Sequence, residues 1–395
     1  MAGRLPMGEK ERLRSKILEM VVQGKMSMKA ATITLRISYR QVLRLNAAYR
    51  QEGDACLVHG NYGKPSNNRV SGEVKQKVIE AYRQTYTDFG PTLAAEKLSE
   101  REGIPIAIST LRRILIKEGL WEGKRRNREY RSRRERKAYF GELLQFDGSH
   151  HRWFEDRGGI CCLMTMIDDA TNIRYAQFFE QETTESAMTV LSCWIRRYGI
   201  PESLYCDKKN AFVLTREPSD EELRAGILKP KSHFGRACER LGLEVIAANS
   251  PQAKGRVERN HGVDQDRLVK ELRLAGISTI TEANRFLEEI YLPAMNQKFS
   301  RPPAKPDDRH VPLGKVNLEE IMCFEYERSV SNDYVVRFNN HLIQILKSNK
   351  TLPRPQDRVT VRVHLDGQIQ IRFKATKLRV KELNLIKSLS TQEVA

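Results

Sequence analysis

LLQFDGSHHRWF, residues 143 to 154, alternates apolar and polar side chains, the period of a strand whose neighbours point to opposite faces. Leu143, Gln145 and Asp147 then share one face and Leu144 and Phe146 the other, so an apolar strand delivers a single carboxylate beside Gly148. ICCLMTMIDDATN (160–172) and IRYAQFFE (173–180) predict two further strands, with turn residues between them. A helix is predicted at TTESAMTVLSCWIRRYG (183–199), a strand at SLYCD (203–207), a helix at HFGRACERLG (233–242) and a strand at EVIAA (244–248). A long helix from about Gln252 to Ala275 completes the series. Three consecutive strands followed by alternating helices and strands predict an α/β domain with a mixed sheet.

Two more acids stand where Asp147 could meet them. Asp207 closes the strand SLYCD, and strand ends of α/β sheets are where polar groups converge without burying an unpaired charge. Glu258 lies one to two turns into the helix that follows the turn SPQAKG. At 3.6 residues per turn, Lys254, Glu258, His261 and Gln265 run along one face, with Arg256 and Arg259 on the flanks. Three carboxylates at one point repel unless cations join them, and an all-oxygen donor set suits Mg²⁺, with Mn²⁺ as substitute. Two such ions activate an attacking oxygen and stabilise a leaving one at phosphorus. Each acid also has a plainer reading: Asp147 capping a turn, Asp207 capping the next segment, Glu258 pairing with Lys254. Asp168 and Asp169 in MIDDATN read as a hairpin turn. His150 and His151, adjacent on a strand, point opposite ways and read as structural or substrate contacts. Trp153 and Trp194 are expected in the core.

Upstream, the first sixty residues read as helices carrying Ile17, Leu18, Val21 and Val22, then MKAATITLRI, then SYRQVLRLNAAYRQEG capped by Ser38. This is the rhythm of a helix-turn-helix, with Val42, Leu43 and Leu45 inward and Arg40, Gln41, Arg44 and Arg50 left for a DNA groove and its phosphates. A three-helix bundle with a solvated basic face is the other reading. HGNYGKPSNNR (59–69) reads as a linker. A second unit repeats the pattern, with Ser109 as candidate cap and Arg112 and Arg113 outward. KRRNREYRSRRERK (124–137) holds nine basic residues, among them Arg125, Arg126, Arg133 and Arg134, against two acidic ones. It attracts phosphates whatever its conformation, as an arm that orders along DNA or as a solvated linker. RPPAKPDDRHVP (301–312) marks a boundary, and short alternating strands beyond it, with turns at Ser331 to Asp333 and at Asp366 to Gly367, predict a small SH3-like β-barrel.

The chain has 395 residues, enough for two to four domains, and 68 Lys and Arg against 50 Asp and Glu give +18, a charge suited to a polyanion. No apolar run approaches the roughly 18 residues of a membrane span, and MAGRLPMGEKERLRSK lacks a signal peptide's apolar core, so a cytoplasmic, nucleoid-associated protein with no membrane partner is expected. Seven cysteines without C-x-x-C or zinc spacing read as reduced thiols, mostly core.

The series QFDGS, YCDKKNAF and NSPQAKGRVERNHG resembles the DDE transposase and retroviral-integrase superfamily, and the layout is most similar to bacterial insertion-sequence transposases of the ISNCY group. The resemblance covers the whole chain. It implies helix-turn-helix modules at 1–58 and 68–122, a basic linker at 123–140, an RNase H-like core at 141–300 and a β-rich domain at 313–395. It further implies Asp147, Asp207 and Glu258 as the metal-binding catalytic triad, two Mg²⁺ ions, and cut-and-join chemistry on terminal inverted repeats and target DNA by a homo-oligomer. Lys254, Arg256 and Arg259 would position the phosphate backbone. Fifty residues separate Asp207 from Glu258, longer than is usual there, which fits an insertion at 213–232. A metal-dependent nuclease without strand transfer and an inactive helix-turn-helix regulator are the alternatives.

Overall fold

The computed structural model describes residues 7–59, 61–62, 69–123, 135–207, 217–218, 220, 223, 230–247, 255–374 and 376–383. The chain divides into two compact units, Met1–Lys124 and Arg125–Ala395.

The first unit is helical: α1 (Glu9–Val22), α2 (Met28–Leu35), α3 (Tyr39–Glu52), α4 (Gly72–Thr85), α5 (Pro91–Arg101) and α6 (Ile108–Lys117). Ser27 and Ser38 accept backbone N–H bonds at the starts of α2 and α3, and Arg36 takes the left-handed conformation between them, which makes the turn tight. Ile17, Val21, Ala31 and Val42 form the small core of the first three helices. The inward face of α3 is rotated from the expected one: Asn46 is buried and Leu43 exposed, because Val42 and Asn46, four apart, share the packed stripe. α6 starts one residue before Ser109, with Ala107 at its N-cap and no side-chain bond there. Leu111, Ile114 and Leu115 turn inward, which leaves Arg112 and Arg113 exposed.

The second unit is built on a five-stranded sheet of β1 (Leu144–His151), β2 (Cys161–Asp168), β3 (Arg174–Phe179), β4 (Ser203–Cys206) and β5 (Glu244–Ala247). Its order is β3-β2-β1-β4-β5, antiparallel from β3 to β1 and parallel from β1 to β5. This is the mixed sheet that the strand and helix order predicts. Between the strands run α7 (Thr184–Tyr198) and α8 (His233–Arg240), whose Phe234 stacks on Phe146 at 6.3 Å between ring centres. α9 (Gly255–Leu274) contacts β1 and β2. Trp153 and Trp194 are fully buried.

Beyond α9 the sequence reading assigned nothing, yet α10 (Ile280–Phe286), a π turn (Leu287–Tyr291) and α11 (Leu292–Phe299) follow. They cover the sheet edge. Asn284 exchanges two hydrogen bonds with the backbone of Phe178 (2.7 and 3.0 Å), and Asn296 does the same with Arg174 (2.9 Å each). The outward N–H and C=O groups of β3 at those two residues are therefore satisfied, which blunts the edge against strand addition. The Pro-rich segment packs on this unit too. Phe140 bridges Asp308, Ile200 bridges Val311, and His310 accepts from Trp194 Nε1 at 3.1 Å. Gly141, at φ +79°, lies so close that a Cβ would fall 2.4 Å from that imidazole.

Among the described residues the carboxyl-terminal strands do not close into a barrel. β6 (Cys323–Ser329), β9 (Arg358–His364), β10 (Ile369–Phe373) and β11 (Thr376–Lys377) make a sheet of order β11-β10-β9-β6, while β7 (Val335–Phe338), β8 (His341–Ile345) and β12 (Val380–Leu383) make a second of order β12-β8-β7. The two share one core of Val330, Val336, Phe338, Ile343, Ile345, Val359, Val361, Ile371 and Leu378. A barrel needs every strand bonded on both sides, and the described ladders stop at β6, β7, β11 and β12. Alternation along single strands predicts the inward residues but not which edges meet. Among the described residues no helix is long and apolar enough to cross a membrane.

Candidate active site

Asp147 sits on β1, the central strand, paired with Thr165 of β2 and two residues beyond the last residue paired with β4. The parallel ladder pairs Leu144 with Leu204 and Gln145 with Tyr205. Asp207 follows the last residue of β4, and the same offset continued by two residues beyond those pairs would bring it level with Asp147. Both carboxylates are partly exposed.

Helix α9 lies along that face in step with β1. Val257 N donates to Gln145 Oε1 (3.2 Å), His261 Nε2 stands 3.9 Å from Asp147 Oδ2, and Gln265 Nε2 donates to Ser149 Oγ (3.0 Å). Four residues of helix advance as far as two of strand, roughly 6 Å against 6.7 Å, so the match persists over two turns. One flank of α9 is pinned toward β2 and β3. Arg256 Nε donates to Asp169 Oδ1 (2.7 Å), and the buried Arg174 reaches Asn260 (3.0 Å) and Asp264 (3.0 and 3.1 Å), which also accepts from Tyr291 OH (2.8 Å). Glu258, two residues beyond Arg256, lies roughly 200° around the helix from it. That turns Glu258 to the flank of Gln265, in the first turn, where the helix dipole favours an acid. It is exposed.

The three acids do not bring their ligand atoms within 4.8 Å of one another. Among the described residues, the group of His, Cys, Asp or Glu whose ligand atoms all lie within 4.8 Å is His150, Cys162 and Glu182.

The neighbouring acids are structural. Asp168 accepts from Thr171 N, Thr171 Oγ1 and Gly141 N, and burial pushes its carboxyl up while those bonds hold it down. Asp169 accepts from Lys137 N (2.8 Å), Gln145 Nε2 (2.7 Å) and Arg256. Gln145, fully buried, therefore ties Asp169 to the first turn of α9. Nothing in a lone strand glutamine announces this, since the partners lie 24 and 112 residues away. Of the expected DNA-contacting residues, Arg40, Arg44, Arg112, Arg113 and Arg259 are exposed and Gln41 is half-buried. Arg256 is held by Asp169. Arg125, Arg126, Arg133, Arg134 and Lys254 lie outside the described residues, as does most of 213–232.

No protein-family model matches the chain. It is 36% identical over 379 residues to the putative transposase y4bF of Sinorhizobium fredii, covering 95% of this chain and 81% of that one. It is 30% identical over 370 residues to the transposase for insertion sequence IS1202 of Streptococcus pneumoniae, covering 82% and 76%. Among solved structures it is similar to the simian T-cell lymphotropic virus intasome (14% identity, TM-score 0.34, 77% of this chain and 99% of that one). It is also similar to the HTLV-2 integrase catalytic core in complex with magnesium (18% identity, TM-score 0.28, 38% and 88%). At such scores these two likenesses carry no weight beside the sequence relationship.

Proposed function

This chain belongs to the insertion-sequence transposases of the DDE transposase and integrase superfamily, and on that premise we propose that it binds the terminal inverted repeats of its element, cleaves there and joins the freed 3′-hydroxyl to target DNA. It is a polynucleotidyl transferase, and its polyanionic partner is DNA. The observation that supports the reading is the parallel register of β1 and β4, Leu144 with Leu204 and Gln145 with Tyr205, which continued by two residues would bring Asp207 level with Asp147 on the face that the helix bearing Glu258 covers. The core is taken to be of the RNase H-like kind.

The donor set fits Mg²⁺ or Mn²⁺: three carboxylates, all oxygen, none of them buried, so that phosphate can reach each. Asp147, Asp207 and Glu258 would hold two such ions, which when bound supply Lewis acidity and charge neutralisation to an in-line displacement at phosphorus. Asp147 on the central strand gives the site its fixed point, and His261 beside it limits where that carboxylate swings. Cleavage breaks the bond between phosphorus and the element's 3′ oxygen as water attacks. Joining repeats the displacement with the 3′-hydroxyl as nucleophile and a target 3′ oxygen leaving. Arg259 and Lys254 hold phosphates beside the acids, with Arg256 anchoring the helix they extend from. α3 and α6 enter the duplex grooves through Arg40, Gln41, Arg44, Arg112 and Arg113, and the basic run tracks adjacent backbone. Two ends must be joined together, so a homo-oligomer on DNA is implied.

Purified protein incubated with labelled element ends, plasmid target and Mg²⁺ tests the reading. Joined products are expected, and Glu258→Gln, Asp147→Asn and Asp207→Asn each abolish cleavage and joining while end binding stays within about twofold. Nicks alone, or retarded DNA without cleavage, contradict it.

A further inference from the structure

On the face of β1 opposite Asp147 lies a second group of donors. His150 on β1 and Cys162 on β2 are direct cross-strand partners, and Glu182 comes from the residue before Thr183, the N-cap of α7. One ligand atom from each lies within 4.8 Å of the others. Cys162 is fully buried, Glu182 half-buried and His150 exposed, so the group opens to solvent on one side. Gly148 completes the setting. A Cβ there would fall 2.9 Å from Glu182 Oε2 and 3.0 Å from Cys162 Sγ. Its backbone is that of an ordinary strand, so space, not torsion, is what the glycine supplies.

We propose that His150, Cys162 and Glu182 bind one zinc ion. A thiolate with an imidazole and a carboxylate is a borderline-soft set that favours Zn²⁺ over Mg²⁺, the reverse of the carboxylates across the strand. Tetrahedral zinc separates its ligand atoms by roughly 3.3–3.7 Å. Rotation of the exposed His150 and of Glu182 brings the set to that spacing, with water as the fourth ligand. On binding, the Cys162 thiol loses its proton to solvent and a zinc–sulfur bond forms. The ion staples β1, β2 and the start of α7 together, its β1 ligand three residues along the strand from Asp147. The role is structural, independent of DNA chemistry.

The full chain carrying Asp147→Asn, stripped with chelator, is titrated with Co²⁺ and then Zn²⁺, and its Tm is followed with zinc. Expected are one cobalt per chain with a thiolate-to-cobalt charge-transfer band, its displacement by zinc, and a higher Tm with zinc than without. Adding Cys162→Ser removes the band. Adding His150→Ala, an exposed position that leaves the fold intact, weakens affinity at least tenfold, as does Gly148→Ala by filling the space. If Cys162→Ser does not fold, those two variants carry the test. Absence of a charge-transfer band, or a band and affinity unchanged by His150→Ala, overturns the proposal.

Discussion

Replacing Asp169 by Asn leaves the Arg256 guanidinium facing a neutral amide and weakens two further bonds, to Lys137 N and Gln145. Breaking a largely buried pair in this way costs on the order of 3 kcal/mol, and thermal unfolding of Asp169→Asn should show it as a clear drop in Tm. Gln145→Leu is the sharper probe. It keeps the volume but removes both the bond to Asp169 and the acceptor for Val257 N, so the first turn of α9 loses its tether. Cleavage rate should fall at least tenfold at saturating DNA while Tm falls by only a few degrees; an unchanged rate would show that Gln145 does not set the position of Glu258. At this scale the sequence was legible for residues whose signal is local. The strand alternation around Asp147 and the DDATN turn can be read directly. Gln145, Arg174 with Asp264, and the His150–Cys162 pairing cannot, because each contact exists only after strands and helices distant in sequence have been brought together.

At the scale of elements, α8 and β6 are clasped by charge. Arg240 grips Glu325 through two bonds (2.8 and 2.7 Å), Arg362 adds a third (2.8 Å), and His233 Nδ1 accepts from Glu325 N (3.2 Å). Burial alone would raise the Glu325 carboxyl, but the bond from Arg240 and the charges of Arg240, Arg362 and Arg236 hold it below the usual glutamate value. Burial, then Arg236, lowers His233. Both groups bind fewer protons folded than unfolded. Their stabilisation is therefore complete above the ordinary histidine value of 6.5 and is lost as pH falls, His233 first and Glu325 below its ordinary 4.5. Stability of the wild type against urea should decline from pH 7 to 4, and Glu325→Gln should flatten the acid limb of that decline. An equal slope in both proteins would contradict the clasp. Helices and strands with strong periodicity, β1 to β5 and α7 to α9, follow from the sequence within a few residues. The barrel does not, since edge pairing is a tertiary choice, and neither do α10 and α11, whose asparagines act on a strand roughly 100 residues earlier.

For the whole molecule, the charge of +18 belongs to a chain whose helical unit exposes Arg40, Arg44, Arg112 and Arg113. Binding to element ends should weaken steeply with salt, with log K falling by about 0.9 per phosphate contact on a logarithmic salt scale. Arg40→Ala with Arg44→Ala should reduce preference for the element end over unrelated duplex, whereas Arg133→Ala with Arg134→Ala should weaken both equally and flatten the salt slope. Equal losses from both pairs would place recognition elsewhere.

The most direct measurement of the account is anomalous scattering from Mn²⁺ in crystals of the chain bound to a pre-cleaved element end. Manganese held between Asp147 and Asp207, with Glu258 as a further ligand and the terminal phosphate in contact, is the predicted result. Manganese bound without any one of those three carboxylates, in a complex where the DNA end is seated, would contradict it.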